Sequence, residues 1–209
     1  MLYGVGLGPG DRKLLTLRAI EIIKSSDEVI VPGKLAYDLI KHLREPRLVE
    51  FPMGESEDVA RKLGKELSER MDEEIAFCCL GDPIFYSTFH HVVEELRKCN
   101  PQAQVEIIPG ITSMSCALAK TLIFVNESML LTTQDFHEVN VAVVLKAKNL
   151  GKIKEELSKM GFNRFKLVEK MFLEGERIYD EIPEKAGYFS VLIADKGGVD
   201  VGKCVRNEK

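Results

Sequence analysis

Residues 2–11 read LYGVGLGPGD, a short apolar run that passes into a glycine-rich loop ending in a carboxylate. An apolar run followed by such a loop is typical of a strand that leads into a helix. Residues 14–24, which come next, carry apolar side chains at helical spacing. Because parallel strands are joined by helices, this strand-loop-helix unit indicates an α/β fold.

The same alternation continues through the first part of the chain. Strands are predicted at residues 2–5, 29–31, 47–50, 75–80 and 104–108, separated by helices at 14–24, 35–43, 56–71, 85–98 and 112–121. The run at 75–80 is apolar almost throughout, as expected for a central parallel strand buried on both faces. We therefore predict a doubly wound α/β domain over residues 1–124.

The last third of the chain follows a different pattern. Strands are predicted at residues 129–132, 141–145, 166–171, 177–182 and 188–194, with one helix at 150–160. Only short turns separate the last three strands, which favours antiparallel pairing. We predict a second α/β domain over residues 125–209, with a mixed sheet.

Composition excludes several classes of protein. The 209 residues contain 29 Lys and Arg against 33 Asp and Glu, a net charge of -4 that argues against a dedicated nucleic-acid binder. No apolar run approaches the roughly 20 residues that span a bilayer, and no basic signal region opens the chain, so we expect a cytoplasmic protein without a membrane partner.

Cysteine and histidine usage predicts no metal site. The five cysteines form no C-x-x-C motif, which favours reduced, structural thiols. His42 and His137 are isolated, and the adjacent His90 and His91 are not expected to face one metal ion from a helix.

Three loops follow predicted strands of the first domain. They are the glycine-rich loop (residues 4–11), the GDP loop (residues 81–83) and the PGITS loop (residues 109–113). In an open parallel sheet, ligands bind beyond the carboxyl ends of the strands, so these loops are expected to share one edge. A small-molecule site is predicted there.

The glycine-rich loop matches neither common phosphate-binding motif. A dinucleotide motif would need glycine at Pro9 or Asp11, and the Lys-Ser/Thr ending of a Walker loop is missing. One alternative is that Asp11, Asp82, Thr112 and Ser113 are only helix caps. The other is that Asp82 accepts hydrogen bonds from a ribose or an ammonium group, while the two hydroxyls face the same ligand.

Longer motifs around these loops resemble the tetrapyrrole methylases. The motifs are VGLGPGDRKLLTLRA at residues 5–19, LGDPIFYSTF at 80–89 and IIPGITSMSCALA at 107–119. Further segments resemble the branch that methylates precorrin-2, or cobalt-precorrin-2, at C-20: VIVPGK at 29–34, EFPM at 50–53, FYSTF at 85–89, VVLK at 143–146 and YFSVLI at 188–193. By contrast, LLTTQ at 130–134 departs from that branch.

The resemblance implies a fold and an activity. The fold is the tetrapyrrole methylase fold of two α/β domains, with the active site in the inter-domain cleft and usually a homodimer. The activity is methyl transfer from S-adenosylmethionine to C-20 of precorrin-2 or cobalt-precorrin-2 in cobalamin biosynthesis. Alternatives are a methylase of another ring position, a diphthine synthase, a ribosomal-RNA methylase, or a non-catalytic ligand-binding module of the same fold.

The resemblance also implies functional residues. The cofactor-binding positions carried over from the family are Pro9, Leu80, Gly81, Asp82, Thr112, Ser113, Lys146 and Met171. The tetrapyrrole substrate carries several carboxylates, and the substrate-binding candidates on the strand-end edge are Gly8, Arg12, Lys13 and Lys34. The alternative for the three cations is an ordinary solvated surface.

No protein nucleophile is required for this reaction. The methyl group of a sulfonium is already activated, so alignment of donor and acceptor is the main task of the enzyme. A base is needed for proton loss from C-20, and Asp11, Asp82 and Tyr86 are candidates by location alone.

Overall fold

The computed structural model describes residues 1–52, 56–133, 137–187 and 189–197. Met53, Gln134, Tyr188 and Cys204, which belong to patterns considered above, lie outside these residues. The chain divides into two compact units, Met1–Glu127 and Ser128–Asp200. In the described part, no helix has the length and apolar character needed to cross a membrane.

The first unit is built on a five-stranded sheet in the order β3-β2-β4-β1-β5. Its strands are β1 (Leu2–Gly6), β2 (Glu28–Val31), β3 (Arg47–Leu48), β4 (Ile75–Cys79) and β5 (Val105–Ile108). All of their pairings are parallel, and Leu2 of β1 lies opposite both Ile75 and Val105. The predicted parallel α/β fold is therefore confirmed.

Four helices join these strands in the described part of the unit: α1 (Leu17–Ser25), α2 (Lys34–Ile40), α3 (Ser56–Ser68) and α4 (Phe89–Cys99). A fifth helix, α5 (Ser113–Thr121), follows β5. The helix predicted from residue 14 begins later, because Arg12–Leu14 form a separate 3-10 turn and Thr16 then caps α1 by accepting from the Ala19 N–H. The helix predicted from residue 85 begins at Phe89, since Tyr86 has a positive φ of 50° that no helix accommodates.

Both faces of the first sheet are buried. Leu2 and Phe77 pack with α3 and α4 on one face, and Val5 and Cys78 pack with α1 and α2 on the other. Burial on two faces explains why β4 reads as a continuous apolar run. It also raises the pKa of the Cys78 thiol well above its usual range, and that of Cys79 to about 11, as expected for structural thiols.

The second unit contains a four-stranded sheet in the order β6-β9-β7-β8. Its elements are β6 (Val141–Leu145), α6 (Leu150–Lys159), β7 (Arg164–Glu169), β8 (Arg177–Tyr179) and β9 (Ser190–Asp195). Every pairing recorded in this sheet is antiparallel, so the mixed sheet expected from the sequence was wrong for the described residues. The reason is that β9 lies between β6 and β7, which run in the same direction and would otherwise pair in parallel.

One strand predicted for this unit is not formed. Residues 129–132 have no regular structure, and Met129, Leu130 and Leu131 are exposed. Their apolar character was interpreted as a strand, but the described residues here have no regular secondary structure. The core of the unit instead lies between α6 and one face of the sheet, where Leu150 and Leu157 pack with Leu167 and Leu192.

Candidate functional site

The glycine-rich loop and the GDP loop are joined by backbone hydrogen bonds. They follow β1 and β4, which are neighbours in the sheet. The Gly8 N–H donates to the Gly81 carbonyl at 3.1 Å, and the Gly81 N–H donates to the Gly8 carbonyl at 2.7 Å. This two-way bridge continues the contact between β1 and β4 beyond the ends of both strands.

Asp82 joins the GDP loop to the PGITS loop. Its side chain is buried, with 8% of the residue exposed. Oδ1 accepts from the Ile84 N–H at 2.9 Å, and Oδ2 accepts from the Gly110 N–H at 3.0 Å. Hydrogen bonds to a carboxylate are about twice as strong as neutral ones. Asp82 therefore fixes the relative positions of two loops, which is more than the simple helix cap considered for it.

Two glycines that the sequence analysis did not assign to the site hold the loops in contact. A Cβ on Gly110 would lie 2.1 Å from the Gly81 carbonyl oxygen, and a Cβ on Gly6 would lie 2.4 Å from the Gly110 nitrogen. Only glycine fits at these two positions without a backbone shift. Both lie inside the quoted motifs, and Gly6 is the last residue of β1.

Gly81 differs from its neighbours. A Cβ there would meet no atom within 4 Å, although its φ of +72° favours glycine. The side of the GDP loop on which a Cβ would stand is thus open. The backbones of the loops approach each other closely at Gly6 and Gly110, whereas the backbone of Gly81 is accessible.

Two other predicted residues are caps. Thr112 Oγ1 accepts from the Ser115 N–H at 3.2 Å at the start of α5, and Asp11 Oδ1 accepts from the Lys13 N–H at 2.9 Å. Both side chains therefore act as caps, whatever further contacts they make with a ligand. Ser113 is the first residue of α5 and is exposed.

Exposed side chains accompany these loops. Pro9 is exposed in the glycine-rich loop, and Leu80, at 38% exposure, directly follows β4 and leads into the GDP loop. Phe85 and Tyr86 follow the GDP loop and are also exposed. The loops are therefore bordered by apolar surface, which is what most small-molecule sites in proteins offer.

The cations expected to bind substrate gather partly at α2. The Arg12 guanidinium donates to the Asp38 carbonyl at 3.2 Å. The Lys34 ammonium lies 3.4 Å from the Asp38 carboxylate and 4.2 Å from the centroid of the Tyr37 ring. The structure thus brings Arg12 and Lys34 to the same helix, and Lys13 is exposed in the 3-10 turn beside Arg12.

In the second unit, Lys146 and Met171 lie at one edge of the sheet. Lys146 directly follows β6, and Met171 follows β7, which runs in the same direction. Both are exposed. Lys146 and Lys170 have positive φ values of 53° and 52°, so the chain turns sharply where each strand ends.

A groove of about 410 Å³ lies at this edge. It is lined by Glu169, Lys170, Gly175, Arg177, Gly187 and Phe189. Hydrogen bonds from the Gly187 N–H at 2.8 Å and the Tyr179 hydroxyl at 2.9 Å lower the pKa of the Glu169 carboxyl. The groove therefore has an ionised carboxylate on its wall, beside two cationic side chains.

His90 and His91, which were not expected to face one metal ion, lie close to a shared carboxylate on α4. One ligand atom from each histidine and one from Glu94 lie within 4.8 Å of one another. Glu94 is four residues beyond His90 and three beyond His91. This cluster lies outside the three loops.

Comparison with known proteins identifies the family. Residues 1–179 match the family model of the Tetrapyrrole (Corrin/Porphyrin) Methylases. The chain is 31% identical over 198 residues to the probable cobalt-precorrin-2 C(20)-methyltransferase of Methanocaldococcus jannaschii, with 85% of each chain covered.

Two further relatives cover most of the chain. It is 30% identical over 156 residues to the probable cobalt-precorrin-7 C(5)-methyltransferase of Methanocaldococcus jannaschii, with 73% of this chain and 69% of the relative covered. It is 25% identical over 232 residues to the precorrin-2 C(20)-methyltransferase of a Sinorhizobium species, with 92% and 94% covered. The chain belongs to the tetrapyrrole methylases, a family of methyltransferases.

Proposed function

We propose that this protein transfers a methyl group from S-adenosylmethionine to C-20 of precorrin-2, or of its cobalt complex, in cobalamin biosynthesis. The observation that carries the proposal is the 31% identity to a C(20)-methyltransferase over 85% of both chains. The joined loops of the first unit support it, because Asp82 and the glycine contacts leave this edge of the sheet ordered and open.

The residues at the strand-end edge fit a small, partly apolar cofactor. The open side of Gly81 gives a ligand access to the backbone of the GDP loop. Pro9 and Leu80 offer apolar contact, while Thr112 and Ser113 lie at the start of α5. We propose that these residues hold the cofactor together with Gly81 and Asp82. Lys146 and Met171 are the proposed contacts from the second unit.

The main task of the protein in this reaction is to align the methyl donor with the acceptor carbon. Bound S-adenosylmethionine supplies an activated methyl group, and the nucleophile is a carbon of the substrate. The loop contacts of Asp82 serve this task, because a rigid loop holds its ligand in one orientation, and orientation alone accounts for a large part of such a barrier. Asp82 acts here as a positioning residue.

Removal of the C-20 proton requires a base. Asp82 and Asp11 already accept hydrogen bonds from backbone N–H groups, so their carboxylate oxygens are engaged by the protein itself. Tyr86 lies four residues beyond Asp82, and its side chain is 67% exposed. We propose Tyr86 as the first of the three candidates to test.

A basic rim on the first unit would hold the acceptor. The tetrapyrrole carries several carboxylates, which Arg binds through paired hydrogen bonds and Lys through a point charge. Arg12, Lys13 and Lys34 are the proposed rim, with Gly8 as a backbone contact. The proximity of Arg12 and Lys34 to Asp38 on α2 supports the grouping.

The proposed active form is a homodimer. Leu122, Ile123 and Phe124, which follow α5, are largely exposed, and α5 itself contains no buried residue. Exposed contiguous apolar surface is typical of protein interfaces. Light scattering of the purified chain would show twice the 23.5 kDa chain mass if the proposal is right, and the chain mass itself if it is wrong.

Ring position is tested by product analysis. The chain is incubated anaerobically with S-adenosylmethionine carrying a ¹³C-labelled methyl group and with precorrin-2, cobalt-precorrin-2 or cobalt-precorrin-7. We expect a new methyl signal at C-20 of one or both precorrin-2 acceptors. Methylation of cobalt-precorrin-7 at C-5 alone would support the alternative suggested by the second relative. No methyl transfer to any acceptor would favour a binding module.

A further inference from the structure

The first two turns of α4 carry a cluster of metal-ligating side chains outside the proposed methyltransferase site. His90 Nε2 lies 3.2 Å from Glu94 Oε1, and His91 Nδ1 lies 3.7 Å from Glu94 Oε2. The two imidazole centroids are 5.3 Å apart. Each oxygen of one carboxylate therefore faces a different histidine.

These separations are close to those of a coordinated ion. With metal-ligand bonds of about 2.1 Å, two ligands of a tetrahedral site lie about 3.4 Å apart. The two Glu94 contacts are near this value, and the ligand atoms all lie within 4.8 Å of one another. The side chains of the two histidines are 51% and 47% exposed, so a dissolved ion can reach both imidazoles.

Glu94 is the least exposed member of the cluster. Its side chain is 18% exposed, whereas those of His90 and His91 are 51% and 47% exposed. A partly buried carboxylate has fewer conformations to lose when an ion binds, which lowers the entropic cost of binding.

The residues around the cluster provide negative charge, which favours the binding of a cation. His91 and Glu94 line a groove of about 390 Å³ beside Ala60 of α3, with Glu57, Arg61, Glu95 and Lys98 on its other walls. Both cations of the groove are held by other carboxylates, since Arg61 pairs with Asp58 and Lys98 with Glu95. Glu57 of the neighbouring helix α3 places a further carboxylate in the groove, besides those of Glu94 and Glu95.

We propose that His90, His91 and Glu94 form a binding site for a divalent transition-metal ion of the Zn²⁺ class. Two imidazoles and one carboxylate are ligands that suit Zn²⁺, Co²⁺, Ni²⁺ and Cu²⁺, and they do not favour Mg²⁺ or Ca²⁺. Water completes the coordination shell. The proposed site lies at the beginning of α4.

The test uses the full chain, purified without a histidine tag. Calorimetric titration with ZnCl₂ is carried out on the wild type and on the variants His91→Asn, Glu94→Gln and His42→Asn. We expect one ion per wild-type chain. We expect an affinity loss of about tenfold or more for the first two variants, since even outer-shell changes at metal sites cost that much.

His42 provides the matched control. It is an exposed histidine just beyond α2 and is not part of the cluster, so His42→Asn should bind Zn²⁺ as the wild type does. Co²⁺ gives a second readout, because a bound paramagnetic ion broadens the imidazole resonances of His90 and His91. The proposal is overturned if the wild type binds no Zn²⁺, or if all three variants bind it equally well.

Discussion

Substitution of Gly110 by alanine tests whether the three loops act as one ordered unit. The added Cβ would lie 2.1 Å from the Gly81 oxygen and 2.8 Å from the Gly6 Cα, and both are backbone atoms. Cβ contacts below 3.0 Å are essentially never observed, so Gly81 and Gly110 must separate by about 1 Å. No side-chain rotation can relieve this overlap.

The expected cost follows from two effects. Overpacking of this kind costs about 1–3 kcal/mol. The Gly81 carbonyl also accepts the Gly8 N–H at 3.1 Å, and a shift of this size weakens that bond, at a further cost of about 1 kcal/mol. We expect Gly110→Ala to lower the free energy of unfolding by about 2–4 kcal/mol. Loops displaced by this amount should also bind S-adenosylmethionine about tenfold or more weakly.

Gly33→Ala is the control. A Cβ at Gly33 would meet no atom within 4 Å, and its φ of -173° is extended backbone that any residue adopts. Its effect on stability should stay within about 0.5 kcal/mol. Urea unfolding followed by circular dichroism gives the stability, and calorimetry on the folded variants gives the cofactor affinity. If Gly110→Ala matched Gly33→Ala in both measurements, the reasoning would be refuted.

Three further predictions concern other parts of the chain. Replacing Arg12 and Lys13 together by glutamine should raise the KM for the tetrapyrrole, weaken the dependence of this KM on ionic strength and leave cofactor affinity unchanged. An equal loss of tetrapyrrole affinity and cofactor affinity would contradict the basic rim. Thiol labelling of the native chain at pH 8, read out by peptide mapping, should modify the exposed Cys99. Cys79 should not react, because burial raises the pKa of its thiol to about 11, and rapid labelling of Cys79 would contradict that burial. Glu169→Gln should destabilise the second unit at pH 7, because a lowered pKa stabilises the folded state at a pH above the unfolded pKa of about 4.3. The difference from the wild type should shrink as the pH falls below that value and through the folded pKa, and a pH-independent difference in urea midpoint would exclude this origin.

The sheet of the first unit could be predicted because its signals are local. Each strand is a short apolar run and each loop carries its own glycine or proline, so neither requires knowledge of the rest of the fold. The predicted helix starts were less accurate. Thr16 and Asp11 can both cap the first helix, and the sequence does not show which of them does so. The capping role of Asp11 itself was among the alternatives.

Contacts between the loops could not be predicted, because they depend on strand order. Gly6 touches Gly110 only because β1 lies beside β5, and it approaches Gly81 only because β1 also lies beside β4. The strands β4 and β5 are both distant from β1 in the sequence. Asp82 likewise finds its second partner, Gly110, 28 residues away.

The second unit shows the same dependence in a case where the prediction failed. A strand, a helix and a strand at β6, α6 and β7 are typical of parallel neighbours, and the two strands do run in the same direction. The later strand β9 pairs with both of them through long-range contacts, with Leu192 opposite Val144 on one side and Leu167 on the other. The three residues meet on the face that packs against α6, so burial of apolar surface there favours the inserted strand over direct pairing. Hydrophobic periodicity indicates which face of a strand is buried, but the choice of neighbour is made by the core as a whole.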